Sequence, residues 1–190
     1  ATTESSIYET HPDWFLKLPN GSPVPAMLNL AWGGNGFAYA LDCTHPEVLE
    51  WLERLGAGIR EAGFRYVKID FCYAAAMHGA SVAPMGRAEA LVAGVRALRK
   101  GLGEEVFLLG CGIPLWPVVG LLDGARIGPD VAPTFRPPQR VHGLTDSLPA
   151  LANAWRNTIA RAVMHRKLWV NDPDCIMVRK SQTSLDPSIA

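Results

Sequence analysis

The apolar and polar positions of this chain follow two different periods, which predict strands and helices in turn. In "RYVKIDF" (65–71), apolar residues alternate with Lys68 and Asp70, the two-residue period of a β-strand. In "THPEVLEWLERLGAGIREAG" (44–63), apolar residues recur every three or four positions, the period of an α-helix. Strands that alternate with helices in this way are typical of parallel βαβ units.

The same two periods predict five strands and three long helices. The predicted strands span residues 38–42, 65–71, 105–112, 125–130 and 167–174. The predicted helices span residues 44–63, 86–103 and 147–166, with a short helical turn inside 113–124. Thr44 is expected to cap the first helix, with Glu47 completing a capping box. Residues 1–37 are interpreted as irregular, because glycine and proline interrupt any period.

Polar residues mark the ends of the predicted strands: Asp42, Asp70, Cys111, Asp130 and Asp172. In a (β/α)8 barrel these ends meet at one mouth, where the active site is built. A doubly wound open sheet would typically carry a glycine-rich phosphate turn, and the sequence has none. A complete barrel needs about 250 residues. The 190 residues therefore predict an α/β fold that is a partial (β/α)8 TIM barrel, its middle strands forming a single segment over 1–190.

Composition and charge exclude several classes of protein. Apolar residues make up 48% of the chain and charged residues 19%, an ordinary globular balance. Eighteen basic and eighteen acidic residues cancel, so no nucleic-acid partner is expected. No apolar run approaches the roughly 20 residues that span a bilayer, so no membrane partner is expected.

The four cysteines show neither a disulfide pattern nor the spacing of zinc ligands. They are expected to be reduced and unpaired, in a cytoplasmic protein. No secretory signal opens the chain. No metal and no cofactor is expected.

Two acids stand near a basic residue at the end of a predicted strand. Lys68 lies two positions before Asp70, on the same face of its strand, and Arg126 lies four positions before Asp130. Burying such charges is expensive unless they are paired or put to use. The pairs are therefore either structural ion pairs or parts of an active site.

These motifs resemble those of the α-galactosidases (melibiases) of glycoside hydrolase family 36. The Lys-x-Asp strand end of the family stands here as Lys68-Ile69-Asp70, and its Arg-x-x-x-Asp stretch as Arg126 to Asp130. Further segments that look like the family, in the family's order, are 11–14, 41–48, 110–133 and 165–175. The resemblance covers nearly the whole chain, and it is the joint order of the segments that makes it specific.

The resemblance implies a retaining glycosidase that cleaves terminal α-galactosides by double displacement through a covalent glycosyl-aspartate. Asp70 is then the nucleophile and Asp130 the acid/base. The substrate is an α-galactoside oligosaccharide, and the residues expected to bind it are Lys68, Arg126, Cys111 and Asp42.

Elementary electrostatics agrees with these two roles. A retaining glycosidase needs one ionised carboxylate as nucleophile and one protonated carboxylic acid as proton donor. The cation of Lys68 favours the charged form of Asp70. A direct pair between Arg126 and Asp130 would oppose protonation of that acid, so Arg126 is expected to point at substrate or at another acid.

The resemblance also implies parts of the family's architecture that lie beyond this chain. The first two barrel strands would precede residue 1, and the last strand and the β-rich domains would flank the segment. The isolated piece is expected to be inactive, either as an open sheet or as a homo-oligomer that covers its edges. The segment "WGGNGFAYALD" lacks an arginine that many bacterial members carry before the acid matching Asp42, which favours a compact subgroup.

Other functions stay open at this point. Galactosyl transfer shares the covalent intermediate with hydrolysis. Lys68 as a Schiff-base lysine would make an aldolase, although a lysine beside an aspartate stays protonated and poorly nucleophilic. A non-catalytic fragment is the remaining alternative. Asp172 and Asp174, on either side of Pro173, are interpreted as turn formers.

Overall fold

The computed structural model describes residues 1–32, 34–137 and 145–175. The helices in this part are α1 (Ser6–Thr10), α2 (Pro46–Glu61), α3 (Arg87–Leu102) and α4 (Leu151–Ala160). The strands are β1 (Pro25–Leu28), β2 (Phe37–Tyr39), β3 (Tyr66–Ile69), β4 (Phe107–Gly110), β5 (Gly124–Arg126) and β6 (Val170–Asp172). Short 3-10 helices connect several of them.

A parallel sheet of four strands forms the centre of the fold. Its strand order is β3-β4-β5-β6, so each strand pairs with its successor in the sequence. This order is that of an arc cut from a (β/α)8 barrel, and it confirms the predicted α/β fold and partial barrel. The register places Lys68 beside Leu109, and Arg126 beside Asp172.

The core lies between this sheet and α3. Leu91, Val95, Leu98 and Leu102 recur on one face of α3 and are buried together with Leu108 of β4. Burying such side chains supplies most of the free energy that holds a helix on a sheet. No helix in the described part of the chain combines the length and the apolar character needed to cross a membrane.

Helices α2 and α3 touch at glycines. A Cβ atom added to Gly101 would overlap the backbone of Glu53, and one added to Gly56 would lie 2.5 Å from the carbonyl oxygen of Leu98. The absence of side chains at these two positions lets the helix backbones meet. Gly58, on another face of α2, has open space around it.

An ion pair between a buried arginine and a partly exposed aspartate fixes the start of β5. Arg99 on α3 is 8% exposed and pairs with Asp123, the residue before β5. The guanidinium also donates to the carbonyl oxygen of Val106 at 2.7 Å, and Asp123 accepts the N–H of Leu108 at 2.8 Å. These bonds satisfy the buried charge of Arg99, which would otherwise be costly to bury.

The first predicted strand does not join the parallel sheet. Strand β2, which covers part of the predicted strand at 38–42, pairs with β1 in a separate antiparallel hairpin. The carbonyl oxygen of Ala40 accepts the N–H of Leu16, and the N–H of Ala40 donates to the carbonyl oxygen of Val24. Because this backbone is already paired with the first part of the chain, it is not available to β3. Residues 1–37, predicted to be irregular, contain α1 and β1.

The cap of α2 also differs from the prediction. The N-cap is His45, whose Nδ1 accepts the N–H of Glu47 at 3.2 Å. Thr44 does not cap α2: its hydroxyl donates to Asp42 at 2.7 Å and accepts the N–H of Ala83 at 3.0 Å. The third predicted helix is shorter than expected: α4 ends at Ala160, and a 3-10 helix follows at Ala162–Met164.

Candidate active site

Asp70 follows the last residue of β3 and is exposed at the carboxyl end of the sheet. The next residue, Phe71, has a left-handed backbone with φ 54°, which few residues other than glycine adopt. Its N–H donates to Oδ1 of Asp70 at 2.7 Å. Gly112 lies against the same carboxylate, since a Cβ atom added there would be 3.2 Å from Oδ1. The backbone on both sides therefore fixes the position of the carboxylate.

Cys111, which follows β4, is buried beside Asp70. Its backbone N–H donates to the carbonyl oxygen of Ile69 at 2.7 Å. Burial raises the pKa of the Cys111 thiol to about 11, and its hydrogen bond with Asp70 and the negative charge of Asp70 act in the same direction against Arg126 and Lys68. The thiol is thus protonated at neutral pH and serves as a hydrogen-bond donor to the carboxylate.

Two further thiols lie close to this site. Burial, followed by the charge of Asp42, raises the pKa of Cys43 to about 12. Burial, followed by the charge of Asp70, raises the pKa of Cys72 to about 12. Both cysteines are unpaired. Because the thiolate is the reactive form, neither is activated as a nucleophile.

Asp130 follows β5 and is bound by Arg126. Nη1 of Arg126 lies 2.9 Å from Oδ1 of Asp130, whose side chain is 72% exposed. The same guanidinium donates from Nε to Asp172 at 2.9 Å and reaches Asp174 from Nη2 at 3.3 Å. The Arg126 side chain is 7% exposed. One buried guanidinium group therefore forms ion pairs with three carboxylates, so the cluster has a net negative charge.

The end of β6 and the loop after it supply two of these three acids, Asp172 and Asp174. Asp174 has a left-handed backbone with φ 68°, and its N–H donates to Oδ1 of Asp172 at 2.9 Å. Oδ2 of Asp174 accepts the N–H of Val131 at 2.9 Å. The loop after β6 is thereby tied to the loop that carries Asp130.

Asp174 is held in its charged form. Burial acts to raise its pKa, but the backbone N–H groups of Val131 and Cys175 and the charges of Arg126 and Lys68 outweigh burial, so the pKa lies below the ordinary value. For Arg126, burial acts to lower the pKa, and the acids at 172 and 174 outweigh it, so the pKa is raised. Both groups are therefore ionised throughout the neutral range.

The expectation for Arg126 is confirmed in one part and wrong in the other. It points at other acids, as predicted, but it also pairs directly with Asp130, which was not expected. The interpretation of Asp172 and Asp174 as mere turn formers missed their contacts with Arg126. The signal that would have found them is the register, which sets Arg126 beside Asp172 on neighbouring strands.

Lys68 is exposed near Asp70 but not bonded to it. Within residues 1–32, 34–137 and 145–175, no carboxylate forms an ion pair with its ammonium group. Its charge acts at longer range on Cys111 and Asp174. Lys68 is thus an exposed cation on the strand that leads to Asp70, and its ammonium group has three N–H donors.

Asp42 differs from the expectation that it binds substrate. Its side chain is 1% exposed. Oδ1 accepts the N–H of Thr44 at 2.9 Å and its hydroxyl at 2.7 Å, and Oδ2 accepts the N–H of Val82 at 2.7 Å. With both oxygens occupied by the protein, Asp42 joins two loops and offers no face to a ligand.

Two cavities flank the ends of β3, β4 and β5. An apolar one of about 420 Å³ includes Asp70 and Tyr73 in its lining. A second of about 580 Å³ includes Gly112, Arg126 and Trp116, and the indole of Trp116 is 71% exposed. Their size is that of small-ligand sites, and an exposed aromatic ring beside charged groups suits a carbohydrate.

Comparison with known proteins gives a match over the full chain. No family model matches the sequence. The chain superposes on the α-galactosidase TtGalA from Thermus thermophilus in complex with stachyose, with 36% identity and a TM-score of 0.81, covering 100% of this chain and 39% of that one. For TtGalA in complex with p-nitrophenyl α-D-galactopyranoside the identity and TM-score are the same, with 100% and 37% covered. This chain thus spans less than two fifths of the enzyme it matches.

Proposed function

This chain belongs to the α-galactosidases of glycoside hydrolase family 36, of which it forms one segment, and from that premise we propose that it carries the catalytic pair of a retaining α-galactosidase. Asp70 is the nucleophile and Asp130 the acid/base. Residues 1–190 form the middle of the catalytic barrel. The remaining strands, supplied by a longer protein, complete it, and the chain by itself is inactive.

The observation that carries this proposal is the placement of two exposed carboxylates at one edge of the sheet. Asp70 follows β3 and Asp130 lies four residues after the end of β5, with only β4 between the two strands. Carboxyl ends of parallel barrel strands open on a common mouth. Glycoside hydrolysis requires two carboxyl groups on either side of the scissile bond, and two that open on one mouth can supply them.

The proposed reaction is a double displacement. The ionised carboxylate of Asp70 attacks the anomeric carbon as the bond to the leaving oxygen breaks, and Asp130 gives its proton to that oxygen. The sugar is then held as an ester of Asp70. A water molecule gives a proton to Asp130 and attacks the anomeric carbon, which releases the sugar with its original configuration and restores both carboxyl groups.

Three neighbours support these roles. The Cys111 thiol donates a hydrogen bond to Asp70, and this bond can adjust when the Asp70 carboxylate becomes an ester and is later restored. Lys68 presents free N–H donors that suit sugar hydroxyls. Arg126 orients Asp130 through Nη1. Asp42 is left out of the binding set, because its carboxylate is occupied by Thr44 and Val82.

The proposed substrates are α-galactosides of the kind named for TtGalA, an oligosaccharide such as stachyose and an aryl galactoside. Transfer of the galactosyl group to another sugar, in place of water, would use the same ester. No described contact favours transfer over hydrolysis.

Covalent labelling tests the proposal directly. The longer protein is incubated with 5-fluoro-α-galactosyl fluoride, whose fluoride leaves readily while the ring fluorine slows hydrolysis of the ester. Digestion and mass spectrometry should find the fluorogalactosyl group on the peptide that contains Asp70. A label on another carboxylate, or none on an active protein, would contradict the assignment. Asp70→Gly serves as the unlabelled control.

A further inference from the structure

The two carboxylate oxygens of Asp174 hold two different parts of the Asp130 surroundings. Oδ1 lies 3.3 Å from Nη2 of Arg126. Oδ2 accepts the N–H of Val131 at 2.9 Å, and Val131 is the residue that follows Asp130. One side chain therefore contacts both the cation that binds Asp130 and the backbone that carries it.

Arg126 is well suited to pass on such a constraint. Its guanidinium is planar and offers N–H groups in fixed directions, so the position of one partner sets the directions available to the others. Nε and Nη2 are taken by Asp172 and Asp174, which leaves Nη1 aimed at Asp130 at 2.9 Å. Since the Arg126 side chain is 7% exposed, packing keeps it from turning to solvent.

The backbone of Asp174 gives a second and independent sign of constraint. Its φ of 68° lies in the left-handed region, which residues other than glycine adopt seldom, asparagine and aspartate most often among them. Such a conformation persists where surrounding contacts determine it, and it is concentrated at functional sites. Here the determining contacts are the hydrogen bonds to Asp172 and Val131.

We infer that Asp174 is a positioning residue for Asp130, acting through Arg126 and through the backbone of Val131. The inference rests on the proposed function in so far as Asp130 is the acid/base. The side chain of Asp174 is 22% exposed against 72% for Asp130, and its two oxygens are engaged by Arg126 and by the N–H of Val131.

The first test measures the position of the loop and needs no activity. Hydrogen–deuterium exchange followed by mass spectrometry is applied to the protein and to its Asp174→Ala variant, on peptides that cover 127–135. Losing the acceptor of the Val131 N–H should raise exchange in these peptides, while peptides over β3 keep the parent rate and report an intact fold. Asp146→Ala is the matched control, because Asp146 pairs with Arg156 at the surface and does not touch Arg126. Unchanged exchange at 127–135 in Asp174→Ala overturns the inference.

The second test measures the consequence for catalysis, with Asp174→Asn, which keeps the size and an acceptor oxygen but removes the charge. A misplaced proton donor should lower kcat/KM, which reports the first step, on an unactivated galactoside by about 10- to 100-fold. Activated aryl galactosides, which need little protonation, should lose about 3-fold or less. Asp174→Glu should recover part of the loss. Equal losses on both substrates, as expected from a merely structural residue, would overturn the inference.

The two tests separate the inference from the proposed function. If the longer protein without substitutions cleaves no α-galactoside, the proposed function fails, and the exchange data alone decide whether Asp174 holds the Asp130 loop. If the parent is active and the leaving-group selectivity is absent, the function stands and the inference fails.

Discussion

Nη1 of Arg126 lies 2.9 Å from Oδ1 of Asp130, four residues further along the chain. A cation so close favours the ionised form of a carboxyl group, whereas a general acid must be protonated. Two features weaken the effect of this cation on the protonation of Asp130. The same cation also serves Asp172 and Asp174, and the side chain of Asp130 is 72% exposed, so water screens the pair. The contact therefore orients Asp130 more than it stabilises its charge.

The acid/base role predicts a loss in Asp130→Ala that depends on the leaving group. Unactivated galactosides should lose about 10²- to 10⁴-fold in turnover, because nothing protonates the departing oxygen. Aryl galactosides with acidic phenols should lose far less in the first step. The measurement is kcat/KM for a series of leaving groups in the longer protein. Equal losses across the series would assign Asp130 a structural role.

Asp174 predicts a specific acid dependence of stability. Its pKa lies below its ordinary value of 3.8, so the native state binds fewer protons than the unfolded state near that pH. The contribution of Asp174 is present above the unfolded pKa and is lost as the pH falls through the folded pKa. Urea unfolding from pH 6 to pH 2 should therefore show a shallower acid-side loss of stability for Asp174→Asn than for the parent. Parallel curves would contradict the charged, bonded state of Asp174.

The packing of α2 against α3 predicts opposite effects for two glycine substitutions. Gly101→Ala would overlap the backbone of Glu53, and backbone yields little, so a loss of about 1–3 kcal/mol in the free energy of unfolding is expected. Gly58→Ala, in open space on α2, should instead stabilise by about 0.5–1 kcal/mol through helix propensity. Chemical denaturation measures both. A neutral Gly101→Ala would show that the helices do not meet as described.

The thiols predict a selective pattern of alkylation. With a pKa of about 11, roughly one Cys111 in a thousand is a thiolate at pH 8, and burial slows access further. Cys43 and Cys72, each with a pKa of about 12, should react still less. Cys175 is exposed and should be labelled first by iodoacetamide in the folded protein. Early labelling of Cys111, read by peptide mapping, would contradict its burial against Asp70.

The sequence predicted the features that depend on local pattern. Periodicity located α2, α3 and the four strands of the parallel sheet, and the acids at the strand ends pointed to one edge. The ordered motifs around Asp70 and Asp130 pointed to the family, which the match to TtGalA confirms. The residue roles remain predictions.

The features that the sequence missed depend on partners distant along the chain. The pairing of β2 with β1 was missed because alternation identifies a strand but not its neighbour. The predicted cap by Thr44 was wrong, and the hydroxyl of Thr44 instead forms a hydrogen bond with Asp42. The burial of Asp42 depends on Val82, forty residues away. The acidic partners of Arg126, at the end of β6 and just after it, could be identified only from the pairing of β5 with β6.

Chemical rescue of Asp70→Gly in the longer protein tests the central claim most directly. Without the nucleophile, turnover of an activated aryl α-galactoside should fall by several orders of magnitude. Azide is small enough to occupy the space left by the carboxylate and attacks the anomeric carbon from that side. Added azide should therefore restore a large part of the rate and yield galactosyl azide of inverted configuration, identified by NMR. Near-normal activity of Asp70→Gly without azide, or rescue that yields an azide of retained configuration, would contradict the assignment of Asp70 as nucleophile.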